Sequence, residues 1–198
     1  AQVTASTRTW DLRTAVVSSP PNRTYVLGLS SPNPVARPVF VVGGGVTPRT
    51  GVRLGIGYAT GIYATRDEVT GPFPDARRSQ LVTVESDVAF GYTHLTGEVA
   101  HSRIDTAQGG TTATSWFVQG QQTLSPRWFA AARYEASDAP APTTGMGTPT
   151  LRIAEATAGF RLCQEFTLRG SVASRKTYFS PLTGRQAGVS LVWARRWR

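Results

Sequence analysis

Apolar residues recur at every second position through most of this 198-residue chain. A period of two is that of a β-strand with two unlike faces, because successive side chains point to opposite sides. Near the C-terminus, for example, Val189 and Leu191 alternate with Gly188 and Ser190. Eleven such runs are predicted as strands, at residues 7–17, 24–30, 39–46, 52–65, 82–92, 99–106, 115–124, 128–135, 151–162, 166–175 and 186–197.

The connections between these runs alternate in length. Tight turns are predicted at 47–50, 95–97, 125–127 and 162–165, and longer polar loops at 66–79, 107–113, 136–149 and 179–185. Such alternation is typical of a membrane β-barrel, in which one rim carries periplasmic turns and the other extracellular loops. Counting back from a periplasmic C-terminus places every predicted tight turn on the periplasmic side.

Three features favour lipid, rather than a soluble core, against the apolar face. Charged residues such as Glu85 and Arg133 occur deep within the runs, and small residues occupy many mid-strand apolar positions. Aromatic residues cluster near strand ends, as in the girdles of membrane barrels. The alternative is a soluble β-sandwich or lipocalin-like barrel. Its best support is Arg195, which alternation puts on the apolar face, where it must reach the interface by extending its side chain.

Composition excludes several other classes. No apolar stretch approaches the roughly eighteen residues of a membrane-spanning helix. The formal charge is +9, but the arginines are scattered among acidic residues, which predicts solvated charge rather than a nucleic-acid patch. Cys163 is the only cysteine, so no intrachain disulfide can form. Gly43, Gly44 and Gly45 precede a turn rather than a helix and do not form a phosphate loop.

Two segments resemble known outer-membrane barrels. Residues 115–135, SWFVQGQQTLSPRWFAAARYE, resemble a late hairpin of Gram-negative porins, notably the phosphate-selective and related porin-like families. Residues 186–197 look like a terminal barrel strand, although Arg198 follows the aromatic Trp197. The resemblance covers roughly the C-terminal 120 residues and implies a fold, with no ligand-binding residue to carry over.

The predicted fold is therefore all-β, an antiparallel transmembrane β-barrel in a single domain spanning 1–198, with 1–38 its least regular part. Eleven strands is an odd count, whereas single-chain bacterial barrels have even counts. Either the count near the N-terminus is wrong or strands are missing. The expectation is that the chain forms the C-terminal part of a larger even-stranded barrel, or a barrel built without its first strands. If the run at 7–17 is a strand, parity places its start on the extracellular side.

Catalysis is not the expected function. Lipase and deacylase barrels need a His and a Ser two residues apart on one face, but His101 and Ser102 are adjacent. His94 and Thr96 have that spacing at a predicted turn, with Thr in place of Ser. His101 and Asp105 share a face near the extracellular rim, as the Asp and His pairs of omptin-type proteases do. A salt-bridged cluster is the favoured interpretation there, and two histidines are too few for most metal sites.

Charges predicted to face the barrel interior are both basic and acidic. They are Arg53, Glu85, Asp87, His101, Arg103, Asp105, Arg133, Glu135, Glu155, Arg161, Arg169 and Arg175, with Asp11 and Arg13 in the N-terminal run. A slight basic excess in opposed rings of charge would make a pore mildly anion-preferring.

The functional expectation is a porin-like, non-enzymatic channel in the bacterial outer membrane for passive diffusion of small solutes. The first alternative is a closed barrel that anchors or sheathes an envelope assembly, and the second is a soluble ligand-binding β-protein. Expected partners are membrane lipid, small solutes and either further copies of the chain or an envelope assembly; no cofactor and no nucleic acid are expected.

Overall fold

A computed structural model describes residues 1–18, 38–64, 76–106, 109–138, 150–177 and 184–194. These residues form one antiparallel sheet in which each strand pairs with its neighbours in sequence. The strands are β1 (Gln2–Ser6), β2 (Trp10–Val17), β3 (Val39–Arg49), β4 (Val52–Ala64), β5 (Arg77–Phe90), β6 (Thr93–Thr106), β7 (Gly109–Thr123), β8 (Trp128–Asp138), β9 (Thr150–Arg161), β10 (Phe166–Thr177) and β11 (Gly184–Trp193). Within the described ranges, no helix is long and apolar enough to cross a membrane.

Ten of the predicted runs correspond to observed strands, but the agreement in number is partly fortuitous. The predicted run at 24–30 lies outside the described residues, and β1 had not been predicted. β2 pairs directly with β3, from Trp10 opposite Val46 to Val17 opposite Val39, so no strand intervenes. The predicted run at 7–17 was expected to start on the extracellular side, the side of the long loops. β2 instead starts beside the short turn that follows β1 and ends beside the long connection 18–38.

The alternation of short and long connections holds at all positions but one. Turns of two to four residues follow β1, β3, β5, β7 and β9, and we call this edge the short-turn rim. The opposite edge, the long-connection rim, carries the connections 18–38, 65–76, 107–108, 139–149 and 178–183. The exception is the predicted loop at 107–113, which shrinks to two residues because β7 begins at Gly109.

One predicted turn was misplaced. Residues 95–97 lie inside β6, and the β5–β6 turn is instead formed by Gly91 and Tyr92. Gly91 has φ of 54° and Gly51, in the β3–β4 turn, has φ of 83°, a left-handed conformation that glycine adopts without steric cost. Glycine with a positive φ is typical of the tight turns of β-hairpins.

Burial is inverted relative to a soluble protein. The apolar face of the sheet is the more exposed one, with Val84 at 54% and Val189 at 79% exposure. Its polar counterpart is more enclosed, and the Asp11 side chain is only 17% exposed. Among the described residues, the buried apolar side chains are limited to Val39, Phe129 and Ala136. Because so many apolar side chains are exposed and so few are buried, the apolar face of this sheet requires an apolar environment beside it.

Candidate functional site

The two faces of the sheet follow from the strand register. Paired residues of neighbouring strands share a face, so a face can be traced from strand to strand across the whole sheet. Asp11, Arg53, Glu85, Arg133 and Glu155 all fall on one side, which we call the polar face. The other side, the apolar face, carries the exposed Val, Leu and aromatic residues.

Most of the charges predicted to point inward lie on the polar face. Those are Arg53, Glu85, Asp87, Arg133, Glu135, Glu155, Arg161, Arg169 and Arg175, joined by Asp11 and Arg13. The register adds Glu98, which lies opposite Glu85 on the polar face and had not been predicted there. Arg77, at the start of β5, is buried on the same face, and its Nε and Nη2 atoms have no hydrogen-bond partner.

Three predicted positions are wrong. His101, Arg103 and Asp105 lie on the apolar face, since His101 pairs with Val82 and Arg103 with Gln80. The cause is the misplaced turn at 95–97. With β6 starting at Thr93, residues Leu95, Gly97 and Val99 share the parity of His101 and identify its face as the apolar one. His101 donates to or accepts from the Thr114 hydroxyl at 2.9 Å and does not approach Glu85 or Asp87.

An ionic cluster of Asp11, Arg53 and Glu85 joins β2, β4 and β5. The Arg53 guanidinium donates two hydrogen bonds to the Asp11 carboxylate, both at 3.1 Å, and a third to Glu85 Oε1. A two-pronged contact of this kind fixes geometry as well as charge. Arg13 lies at the edge of the cluster, with Nε 3.9 Å from Asp11 and a side chain that is 64% exposed.

Two glycines make room for the ionic cluster. A Cβ placed on Gly45 would lie 2.7 Å from Arg53 Nη2 and 2.8 Å from the Leu54 carbonyl oxygen. One on Gly55 would lie 2.7 Å from Glu85 Cγ. The guanidinium therefore occupies space above backbone that carries no side chain, at Gly45 on the neighbouring β3 and at Gly55 on its own strand β4.

An aromatic cluster occupies the polar face of β7 to β10. It consists of Phe117, Phe129, Arg133, Arg161 and Arg169. The Arg133 guanidinium lies 4.5 Å from the centre of the Phe117 ring and also donates to Glu135 at 3.0 Å. Those of Arg161 and Arg169 each lie 5.8 Å from the Phe129 ring, within range of a cation–π attraction.

Phe129 is the main apolar residue enclosed on the polar face, at 7% exposure. Its ring covers Gly159 on β9 so closely that a Cβ at that glycine would collide with ring carbons. Sequence alternation did not reveal Phe117 or Phe129, because Trp116 and Trp128 next to them satisfy the apolar face. The adjacent aromatic pairs were the available signal, since one member of each pair must point to the polar side.

A small cavity of about 180 Å³ opens on the polar face within this region. Gln119, Gln121, Arg133, Glu155 and Arg169 contribute to its lining, and Phe129 lies beside them. Its walls offer hydrogen-bond donors, acceptors and both signs of charge.

Among the described residues of the polar face, His94 and Asp87 form an ionisable pair of the kind that catalysis can use. His94 Nε2 lies 2.9 Å from Asp87 Oδ2, and both side chains are about half exposed. His101 and Ser102 point to opposite faces, so they cannot act on one substrate. In the part of the chain that the structure describes, no three side chains of the metal-ligating types come together.

Comparison with known proteins identifies the fold. No family model matches the chain, and no curated protein matches it either. Solved structures do match: a porin superposes with a TM-score of 0.69 at 12% identity, covering 97% of this chain and 60% of that one. A loop-deletion variant of OmpT, an outer membrane protein of Vibrio cholerae, gives 0.70 at 8% identity, covering 97% and 61%.

A trimer form of the same OmpT superposes with a TM-score of 0.65 at 9% identity, covering 95% of this chain and 59% of that one. The chain therefore has the all-β fold of outer-membrane barrels, as its alternation predicted, and spans about three fifths of the length of these structures. At such identities the likeness extends to the fold alone. It does not distinguish the phosphate-selective porins from other barrels.

Proposed function

We propose that this chain forms the wall of a porin-like channel in the bacterial outer membrane and passes small polar solutes by passive diffusion. The observation that carries the proposal is the inverted burial of the sheet: exposed aliphatic residues on one face, and enclosed, paired charges on the other. Lipid suits the first face and a water-filled lumen suits the second.

Charge on the polar face supports a mild preference for anions. The strands β2 to β6 are nearly balanced, with Asp11, Glu85, Asp87 and Glu98 against Arg13, Arg53 and Arg77. The strands β7 to β10 are basic, with Arg133, Arg161, Arg169 and Arg175 against Glu135 and Glu155. A wall with excess arginine lowers the electrostatic barrier for anions and raises it for cations.

A channel also needs a closed wall. In the described sheet, β1 and β11 are the outermost strands, and each is paired on one side. Unpaired backbone groups are too costly in hydrocarbon to remain there, so both outer edges must find partners within a membrane. We propose that they do so in an even-stranded barrel, as in the longer solved structures that the chain resembles.

Planar-bilayer recording of the natural full-length protein tests the proposal. Discrete conductance steps are expected, with a reversal potential in a potassium chloride gradient that indicates anion preference. The double variant Arg161→Glu/Arg169→Glu should shift that potential towards cations. Its charge-keeping counterpart, Arg161→Lys/Arg169→Lys, should leave the potential near that of the wild type, because the effect depends on charge rather than on shape.

The contrary outcomes are separable. A protein that shifts on unheated gels, and is therefore a folded membrane barrel, but never conducts would favour the closed anchoring or sheathing barrel. Conductance with cation preference in the wild type would reject the anion preference while leaving the channel intact. We also propose that the protein is non-enzymatic and self-associates. Sedimentation in detergent would test self-association, since a monomer would contradict it.

A further inference from the structure

The charges of the apolar face are concentrated at one end of the sheet. Of the described residues on this face, those in the middle of the strands are aliphatic, aromatic, small or hydroxylated, apart from His101 on β6. Seven charged side chains lie within four residues of the long-connection rim: Arg78, Arg103, Arg152, Lys176 and Arg185 as bases, and Asp105 and Asp138 as acids. At the short-turn rim, the register places one described charge on this face, Arg49. We call the five bases the cationic band.

The opposite rim of the same face is aromatic instead. Trp128 and Phe160 pack with ring centres 4.7 Å apart, and Phe166 and Trp193 with centres 6.5 Å apart. Tryptophan and phenylalanine at this level are usual at a lipid–water interface. The two interfaces of the apolar face therefore differ in chemistry, and the cationic band marks only the long-connection side.

Within the band, like charges face each other. Arg152 and Lys176 are direct partners across β9 and β10, and Arg185 lies opposite Ser174, one diagonal step from Lys176. Like charges directly opposite destabilise a strand pair unless counter-charge lies between them. Asp138 accepts from Arg152 at 3.2 Å and supplies part of that counter-charge. Asp138 itself belongs to β8, and the described residues on the apolar face of β9 to β11 include three bases and no acid.

A second group of the band lies on β5 and β6. Arg78 and Arg103 line a cavity of about 250 Å³ together with Gln80 and Asp105. Asp105 accepts a hydrogen bond from the Arg78 backbone amide at 3.1 Å, which holds its carboxylate beside the strand. Arg78 and Arg103 are both exposed at the edge of the apolar face. Arginine is the residue best suited to bind phosphate oxygens, because its planar fork donates two parallel hydrogen bonds.

We propose that the cationic band binds the phosphate-bearing headgroups of anionic lipids in the leaflet at the long-connection rim. The argument rests on the band's position directly beyond the apolar surface, its net positive charge and its arginine content. A headgroup phosphate there bridges bases on neighbouring strands and relieves the repulsion between Arg152 and Lys176. The inference depends on the membrane location of the apolar face and is independent of whether the lumen conducts.

Spin-labelled lipids test this inference. The folded full-length protein is reconstituted in phosphatidylcholine vesicles that contain spin-labelled phosphatidylglycerol or spin-labelled phosphatidylcholine, and the motionally restricted fraction of each label is measured. The wild type is expected to retain phosphatidylglycerol about fivefold more strongly than phosphatidylcholine. The preference should decrease as salt is added, because screening weakens exposed charge.

A matched pair of variants locates the binding. Arg103→Gln/Lys176→Gln/Arg185→Gln removes three bases of the band and should abolish most of the preference. Arg8→Gln/Arg49→Gln/Arg127→Gln removes three bases at the short-turn rim and should leave most of it. Should the first variant fold poorly on unheated gels, Arg103→Lys/Arg185→Lys retains the charge and should keep the preference.

Two results would overturn the inference. The first is a wild type that restricts both labels equally, which would mean that the band is merely solvated. The second is an equal loss of preference in the two triple variants, which would indicate a general effect of net charge. Failure of the channel proposal would instead appear as absent conductance with the lipid preference intact.

Discussion

The ionic cluster and the aromatic cluster of the polar face fill the space above glycine residues with different side chains. On β3 and β4, the space above Gly45 and Gly55 is taken by the guanidinium of Arg53, which two carboxylates hold in place. On β9, the space above Gly159 is taken by the ring of Phe129, with arginines around its edge. One glycine surface is covered by charge and the other by an aromatic ring.

The two halves of the sheet are therefore stabilised by different interactions. The ionic cluster derives its order from directional hydrogen bonds between partly exposed charges, a modest source of stability. The aromatic cluster derives its order from the enclosure of a large apolar ring, a larger source. We therefore expect side-chain truncation to destabilise the β8–β9 region more than the β2–β5 region, although both carry arginines on the polar face.

The largest expected effect is at Phe129. Phe129→Ala should lower the free energy of unfolding by about 3 kcal/mol, because a nearly buried ring is removed and Gly159 is left uncovered. Urea unfolding in lipid vesicles measures the change. Gly159→Ala alone should also destabilise, by collision with the ring, but should be tolerated in the Phe129→Ala background. Additive effects of the two substitutions would contradict the proposed contact.

A smaller effect is expected at the glycine beneath Arg53. Gly45→Ala should cost about 2 kcal/mol, because the new Cβ meets the Leu54 carbonyl oxygen at 2.8 Å and displaces the guanidinium. Gly188→Ala is the matched control on the polar face of β11, where the nearest atom to the added Cβ is Ser171 Oγ at 4.0 Å. The urea midpoint should fall for the first variant alone. Equal midpoints would show that Arg53 can reposition freely.

The smallest of the three effects is expected for the charge itself. Arg53→Met should lower stability by about 1 kcal/mol, because Asp11 and Glu85 lose their shared partner but retain access to water. Arg13→Met should have almost no effect, since its side chain is 64% exposed and 3.9 Å from Asp11. If Arg53→Met proved as costly as Phe129→Ala, the contrast between the two clusters would have to be abandoned.

Strand positions were the most predictable feature of this chain. A period of two survives in single strands, so β8, β9 and β10 could be recognised to within three residues without knowing their neighbours. Residues 109–113, at the start of β7, were instead predicted as part of a loop. The N-terminal third was less predictable. β1 is only five residues long, Gln2–Ser6, and carries little periodic signal of its own. Its strand character derives from pairing with β2, which a local pattern does not contain.

Side-chain position on the polar face was predictable for strands whose register was correct. Arg133, Glu155 and Arg169 follow directly from the parity of β8, β9 and β10. The face of His101, Arg103 and Asp105 was predicted wrongly. The predicted turn at 95–97 excluded the first residues of β6, and the apolar side chains among those residues would have identified the face. An error of one position reverses a face, so turn placement limits every such assignment.

The sequence by itself determined that this chain forms strands with one apolar and one charged face, because that information is local and repeats every two residues. Only the tertiary structure decided which charges meet. The contact between Arg53 and Asp11 spans 42 positions, and the contact between Arg53 and Glu85 spans 32. Both contacts depend on strand register and on the space that glycines leave between neighbouring side chains. The alternation within a single strand contains neither kind of information.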